Sequence, residues 1–231
     1  MTGDAAVHGQ ALKNGIELAL EEHNRAASNK LAVIYEDGVA LTPAGIEAAA
    51  RLGHALSSRY KRIRLFHSPV LRCAQTAQSI CEGAGPAGAS ATVHGPRNCL
   101  GGSYLLYPTA ALPLADELRP KFVRTWFSGG LPPAIIKPFA QSLAEHTEYI
   151  LAELGTSQAP ASMDVHVTHD WNLMVLREGI FGIRYEEVGW PDYLDGVVLH
   201  EAAAARVGHR PFGRYSVLYL PFAVNLVIWT S

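Results

Sequence analysis

The 231-residue chain carries 19 Lys and Arg against 21 Asp and Glu, which gives a formal net charge of −2 at pH 7. Its composition, 48% hydrophobic and 17% charged, is that of an ordinary globular protein and argues against a disordered chain. Because the numbers of acidic and basic residues are nearly equal, the chain lacks the broad basic surface on which nucleic-acid binders depend. At roughly 150 residues per domain, the length favours a single domain.

Apolar runs and cysteines bear on the compartment that we expect for the protein. No apolar run reaches the ~18 residues that a membrane helix needs, and the first ten residues lack the basic start and apolar stretch of a signal peptide. Cys73, Cys81 and Cys99 make neither a disulfide framework nor a metal-binding cluster. We therefore expect a cytoplasmic protein with reduced cysteines, no metal ion, and no membrane or nucleic-acid partner. The oligomeric state stays open.

The first part of the chain alternates helical and strand patterns. Apolar residues recur at helical spacing over 10–27, and the short apolar run 31–35 predicts a buried strand. Thr42 suits the N-cap of a further helix and Pro43 suits its first turn. The predicted apolar stripe of that helix consists of Ile46, Ala49, Leu52 and Leu56.

Two strand–helix pairs follow at separate places along the chain. Residues 63–69 predict a strand that leads into a helix over 70–82. Residues 163–170 alternate like a strand and run directly into a helical pattern over 171–182. Strands that alternate with helices in this way predict an α/β sandwich with a mostly parallel sheet.

Glycine, proline and aromatic residues are frequent in the middle of the chain. Residues 83–100 predict a loop, and residues 101–135 predict an irregular insertion. Helical spacing returns over 134–154, and the apolar runs 193–199 and 215–229 predict two or three late strands.

Both predicted strand–helix junctions carry polar side chains. Arg72 lies on the first turn of one helix, and His169 and Asp170 stand together at the start of the other. Ligand-binding groups of α/β sheets gather where parallel strands end. A guanidinium and an imidazole can hold phosphate oxygens, and a carboxylic acid can protonate a leaving alkoxide. Each group also has an ordinary structural interpretation, as an ion-pair partner or a helix cap.

Three stretches resemble signatures of one family. Residues 41–45 (LTPAG), 68–77 (SPVLRCAQTA) and 168–172 (THDWN) are similar to motifs of the histidine phosphatase superfamily, which also holds the phosphoglycerate mutases. The resemblance covers about residues 39–231. It implies a three-layer α/β sandwich, and one domain over 1–231 in which 1–38 are divergent and 83–140 form a substrate-facing insertion.

The resemblance also implies roles for individual residues. Arg72 matches the phosphate-binding arginine, His169 the histidine that lines the phosphate pocket, and Asp170 the general acid of the acid-phosphatase-like members. A small phosphorylated substrate is implied, and no metal or cofactor is needed. A second histidine would attack phosphorus and become phosphorylated.

The first family signature, Arg-His-Gly or a close variant, is missing, because the sequence contains no Arg-His dipeptide. In one interpretation His23 is the nucleophile and Arg25 a phosphate ligand, although Glu22 then stands where an arginine is expected. In a second interpretation His8 takes the nucleophile's place. In a third, this region is a helix followed by the strand 31–35, and the chain has no nucleophile.

Three functions remain open at this point. The leading hypothesis is a phosphomonoester hydrolase that acts through a phosphohistidine. The alternative is a catalytically inactive pseudophosphatase that binds a phosphorylated ligand or a protein partner. The missing first signature favours this alternative. A ligand-binding receptor is a third hypothesis, since residues 9–38 also resemble the opening helix and strand of periplasmic amino-acid-binding receptors.

Overall fold

A computed structural model describes residues 40–156, 161–201, 210–212, 215–220 and 227–230. The predicted helix 10–27 and strand 31–35 lie outside the described residues. The helices are α1 (Pro43–Ser57), α2 (Leu71–Ala84), α3 (Pro108–Leu118), α4 (Phe122–Phe127), α5 (Phe139–Thr156), α6 (Asp170–Phe181) and α7 (Tyr185–Val188). The strands are β1 (Arg62–His67), β2 (Ser90–Pro96), β3 (Ser162–Val167), β4 (Gly196–Glu201), β5 (Arg210–Phe212), β6 (Tyr215–Leu220) and β7 (Val227–Thr230).

The strands form one mixed sheet in the order β2-β1-β3-β7-β4-β6-β5. Strand β1 runs parallel to both β2 and β3, and β4 runs parallel to β7. The remaining pairs are antiparallel. In the register of β1 and β3, His67 stands opposite Val167, so both strands end at the same edge of the sheet. The predicted α/β fold is confirmed, with helices flanking the three parallel strands β2, β1 and β3. The sheet is less parallel than predicted, because the other described pairs besides β4 and β7 are antiparallel.

Helix α1 begins as its sequence predicts. The hydroxyl of Thr42 accepts a hydrogen bond of 3.1 Å from the backbone N–H of Gly45, and Pro43 occupies the first helical position. Ala49 is fully buried against the sheet. Ile46, by contrast, is 41% exposed, so its assignment to the buried stripe is wrong. The helix packs mainly through small residues of its inner face, which turns Ile46 toward the rim.

Glycines allow α1 and α2 to approach each other closely. A Cβ atom on Gly53 of α1 would lie 2.0 Å from the carbonyl oxygen of Ile80, and one on Gly83 of α2 would lie 2.0 Å from that of Ala50. Such distances are far below van der Waals contact, so this backbone-to-backbone packing excludes any side chain at either position. The two helices therefore pack closely against each other on one face of β1.

Helices cover both faces of the central strands. One face carries Ile63, Leu65 and Val165 against α1 and α2. On the other side, α5 and α6 pack on β4 through a second core cluster. Strand β3 is buried along its whole length, and its apolar residues Met163, Val165 and Val167 alternate with the buried polar residues Ser162, Asp164 and His166. Of the helices described, none is long and apolar enough to cross a lipid bilayer.

Two predictions for the middle of the chain are wrong. Residues 83–100 are not simply a loop, because Ser90–Pro96 form the edge strand β2 beside β1. Its Gly, Pro and Ala content hides the strand, which is tolerated at an edge that is only half buried. Residues 101–135 are not irregular throughout, since they contain α3 and α4. Trp126 of α4 is 1% exposed and packs beneath α6.

The other predicted elements are confirmed. Helices α2 and α6 match the predicted spans closely, whereas α5 begins later than predicted, directly after Pro138. The late apolar runs supply β4, β6 and β7, with β5 in addition. Met163 and Met174 are core residues.

Candidate functional site

The two polar junctions of the sequence meet at one edge of the sheet. Because β1 and β3 are parallel neighbours, the residues that follow them lie side by side, and the backbone N–H of Ser68 donates to the carbonyl of Val167 at 2.9 Å. Arg72 is the second residue of α2, and His169 is the N-cap residue of α6. The N-termini of both helices therefore point to the same place, where their partial positive charges favour an anion.

His169 is held between groups from both junctions. Its Nε2 atom lies 2.8 Å from the Oγ atom of Ser68, and its Nδ1 atom lies 3.4 Å from the Nη2 atom of Arg72. A guanidinium can only donate, so Nδ1 presents its lone pair to Arg72 and the ring hydrogen is on Nε2, donated to Ser68. The nitrogen that faces Arg72 is thus a hydrogen-bond acceptor.

The electrostatics of the site favour an uncharged imidazole. Burial, and then the positive charge of Arg72, lower the pKa of His169 to about 4, against the opposing effect of Asp170. The ring is 7% exposed, so it loses most of its hydration in the fold. His169 is therefore neutral near pH 7 unless an anion enters beside it.

Asp170 stands at the first position of α6 with its carboxylate exposed. One carboxylate oxygen accepts a hydrogen bond of 2.8 Å from the backbone N–H of Trp171. The other accepts a hydrogen bond of 2.7 Å from the indole N–H of Trp190. These two donors fix the carboxylate plane next to His169, in reach of a group that enters from solvent.

A buried hydrogen-bond network supports the second junction. The Thr168 hydroxyl donates to the carbonyl of Leu100 at 2.7 Å. The Asn172 amide lies 3.0 Å from that carbonyl, 2.9 Å from the carbonyl of Gly101 and 2.7 Å from the Thr168 hydroxyl oxygen. The segment before α3 is thereby tied to the start of α6, which holds His169 and Asp170 in a rigid frame.

Cys73 also reaches the site. Its Sγ atom lies 3.9 Å from the Nε2 atom of His169 and 3.7 Å from the carbonyl oxygen of Thr168. Burial raises the pKa of the Cys73 thiol to about 11, although Arg72 and Ser68 act in the opposite direction. The thiol is therefore protonated at neutral pH and is a packing group rather than a nucleophile.

The structure brings together Arg72, His169 and Asp170, three of the residues singled out from the sequence. His23 and Arg25 lie outside the described residues. Sequence reasoning gave no role to Ser68, although the residue belongs to a recognised motif. It also missed Trp190, which lies twenty residues beyond Asp170 and shows no spacing signal. Among the described residues, no group of three or more His, Cys, Asp or Glu side chains could hold a metal ion.

His166 lies inside β3, three residues before His169, and contacts a different set of side chains. Its ring stacks on Phe66 with the centroids 4.9 Å apart, and its Nδ1 atom lies 3.2 Å from the hydroxyl of Tyr149. Burial, reinforced by the positive charges of Arg64 and Arg97, lowers the pKa of His166 to about 3. It is a neutral core residue outside the site.

Residues 23–94 match the family model described as histidine phosphatase superfamily (branch 1). The match confirms the resemblance to that superfamily. It supports phosphatase- or mutase-type activity in general. The matched segment begins at His23 and contains Arg72, whereas His169 and Asp170 lie beyond it. No curated protein matches the chain.

Proposed function

We propose that the chain is a phosphomonoester hydrolase that acts through a phosphohistidine intermediate on a small phosphorylated substrate. The observation that carries this proposal is the convergence of Arg72, His169 and Asp170 at the edge where β1 and β3 end. These groups come from two motifs that are almost a hundred residues apart. A structural cap or a surface ion pair would not require an arginine against a buried imidazole.

The site suits a phosphate group on electrostatic grounds. Arg72 offers a planar fork of donors, and the N-termini of α2 and α6 add partial positive charge. The Nδ1 atom of His169 faces the same space but carries a lone pair. It can donate to a phosphate oxygen only after it takes up a proton, which the negative charge of the phosphate favours.

The proposed reaction has two steps. A neutral imidazole attacks phosphorus, the bond between phosphorus and the ester oxygen breaks, and the carboxylic acid of Asp170 gives its proton to that oxygen. Water then attacks the phosphohistidine, the Asp170 carboxylate takes a proton from that water, and inorganic phosphate leaves. Arg72 and protonated His169 stabilise the charge on the phosphoryl oxygens in both steps.

His23 is the nucleophile in this proposal and Arg25 a further phosphate ligand. Both residues lie within the segment that matches the family model, which supports this assignment. His8 is the second candidate. We further propose that residues 83–140 face the substrate, since the network of Asn172 ties Leu100 and Gly101 to the site.

One observation favours a second candidate function, a pseudophosphatase that binds a phosphorylated ligand without chemistry. The sequence lacks the Arg-His pair that introduces the nucleophile in the superfamily. Such a protein would retain phosphate binding at Arg72 and His169 but would form no covalent intermediate.

Hydrolysis of para-nitrophenyl phosphate between pH 4.5 and 8 tests the proposal. The parent chain is compared with His169→Ala, Asp170→Asn, His23→Ala and His8→Ala. The exposed histidine of α1 provides a matched control, His54→Ala. We expect at least a hundredfold loss in the His169, Asp170 and His23 variants, and no change in the control.

Trapping of the intermediate separates the two candidate functions. A brief reaction with radiolabelled substrate, followed by denaturation, should leave a phosphoryl label that survives alkali and is lost in acid. The label should be absent from His23→Ala. If His8→Ala removes it instead, the nucleophile is His8. A folded parent chain that binds inorganic phosphate but neither turns over nor becomes labelled would support the pseudophosphatase and reject the hydrolase.

A further inference from the structure

Trp190 lies directly against the proposed general acid. Its indole N–H donates a hydrogen bond of 2.7 Å to the Asp170 carboxylate, and 47% of the residue is exposed. Asp170 is itself exposed and adjoins His169, so the indole lies beside a carboxylate that solvent can reach. About half of the surface of Trp190 therefore remains available to another molecule beside the carboxylate.

The position of the indole is fixed by more than this one hydrogen bond. The carbonyl of the preceding residue, Gly189, accepts a hydrogen bond of 2.7 Å from the guanidinium of Arg177, which is almost completely buried. Gly189 has a φ of +86°, a backbone conformation that favours glycine and that sets the direction of the chain into Trp190.

Tyr185 supplies a further anchor. Its ring makes a T-shaped contact with the indole at 5.6 Å between centroids, and its hydroxyl donates to the carbonyl of Pro120 at 3.1 Å. Arg124 in turn lies 5.7 Å from the centre of the Tyr185 ring and pairs with Glu186 and Glu178. Trp190 is therefore a rigid surface at the site rather than a loose side chain.

From this placement we propose that Trp190 is a specificity-determining residue that packs against an aromatic leaving group, so that the site prefers aryl phosphates to alkyl phosphates. The inference rests on the proposed phosphate pocket at Arg72 and His169. A leaving group that receives a proton from Asp170 must lie beside that carboxylate, where the indole offers an apolar surface. An aromatic ring gains binding free energy from offset or edge contacts with an indole, whereas a methyl group buries a much smaller contact area against it.

Two phosphonates that cannot be hydrolysed test the inference without depending on catalysis. Binding of phenylphosphonate and of methylphosphonate is measured by calorimetry for the parent chain, Trp190→Phe, Trp190→Ala and Trp190→Leu. We expect the parent to bind phenylphosphonate about tenfold more tightly, Trp190→Phe to keep most of this preference, and the two ringless variants to lose it. Affinity for methylphosphonate should stay within about twofold throughout.

Tyr193 provides a matched control, because it is an aromatic residue of the same segment and is 96% exposed. Tyr193→Ala should leave both affinities unchanged. Circular dichroism and thermal unfolding establish that each variant is folded, and the leucine variant replaces the alanine variant if the latter unfolds. With para-nitrophenyl phosphate as substrate, the ringless variants should raise KM more than they lower kcat.

Two results would overturn the inference, and they differ in what they say about the pocket. If the parent binds both phosphonates equally, or if the ringless variants keep the phenyl preference, Trp190 does not select the leaving group although the phosphate pocket stands. If the parent binds neither phosphonate, Arg72 and His169 do not form a phosphate-binding pocket, and the proposed role of Trp190 is rejected as well.

Discussion

The Oγ atom of Ser68 lies 2.8 Å from the Nε2 atom of His169, although the two residues are 101 positions apart in the chain. The contact joins the end of β1 to the start of α6. Since Nδ1 of the same ring faces Arg72, a rotation of the imidazole would break both interactions. Ser68 therefore determines which ring nitrogen is presented to a phosphate group.

Ser68→Ala should both weaken the fold and misplace His169. The change removes the hydroxyl oxygen that both Nε2 of the buried His169 ring and the backbone N–H of Val70 contact, which costs about 1–3 kcal/mol. Urea unfolding measures the loss of stability. Ser58→Ala is the control, because the exposed Ser58 hydroxyl makes a hydrogen bond to the carbonyl of Ala55, away from the site. An equal and small change, within about 0.5 kcal/mol for both variants, would contradict the role of Ser68.

Arg72→Lys should weaken the binding of inorganic phosphate or vanadate about tenfold, although the charge is retained. A lysine ammonium is a point charge that cannot reproduce the two parallel hydrogen bonds of a guanidinium. Calorimetry gives the affinity, and Arg59→Lys on the surface serves as the control. Equal phosphate affinity in the parent and the Arg72 variant would show that the anion binds elsewhere.

Anion binding should take up a proton at His169. Burial, followed by the charge of Arg72, holds the pKa of this imidazole at about 4, so the free protein carries it uncharged at pH 6. A dianion beside Nδ1 favours the protonated ring. Sulfate is the probe, because it does not itself titrate near pH 6. We expect calorimetry in buffers of different ionisation enthalpy to show uptake of up to one proton per sulfate bound.

His169→Gln provides the comparison for that measurement. The variant should bind sulfate more weakly and without proton uptake. Uptake that persists in the variant would assign the proton to another group.

The central part of the fold follows from the sequence because its signals are local. The strand–helix junctions at Ser68 and Thr168 can be recognised in the sequence because a short strand pattern ends there in polar residues. Parallel pairing then brings them together without any further information. Strand β2 was missed because an edge strand tolerates Gly95 and Pro96, which the sequence presents as loop residues.

The remainder of the site could not be predicted because it depends on tertiary contacts. Trp190 reaches Asp170 only because Gly189 and Arg177 fix the backbone after α7. Likewise, the closeness of α1 and α2 turns Ile46 outward, a result of helix packing that the periodicity of one helix does not contain.

Acid should destabilise the protein partly through His166. Burial, then the charges of Arg64 and Arg97, hold its folded-state pKa at about 3, against an ordinary value of 6.5. The unfolded chain therefore binds this proton first as the pH falls. The stability that the neutral ring contributes is complete above pH 6.5 and is lost as the pH falls from 6.5 toward 3. The expected slope is about 1.4 kcal/mol per pH unit for this one proton.

His166→Phe should reduce that slope in unfolding experiments at pH 4 to 6.5. A phenyl ring can keep the stacking contact with Phe66 and removes a buried Nε2 atom that has no hydrogen-bond partner in the described structure. Since His169 still titrates in the variant, some pH dependence should remain. An unchanged slope would mean that His166 is protonated in the folded protein.

Addition of one methyl group should affect stability very differently at two glycines that are two residues apart. A Cβ atom on Gly83 would lie 2.0 Å from the carbonyl oxygen of Ala50, so Gly83→Ala must push α1 away from α2. A Cβ atom on Gly85 meets nothing within 4 Å, and its φ of −57° suits any residue. Gly83→Ala should cost at least about 1–3 kcal/mol by overpacking, whereas Gly85→Ala should be neutral or stabilise by up to about 1 kcal/mol. Thermal unfolding of the two variants side by side measures the difference, and similar melting temperatures would show that the two helices do not approach as closely as described.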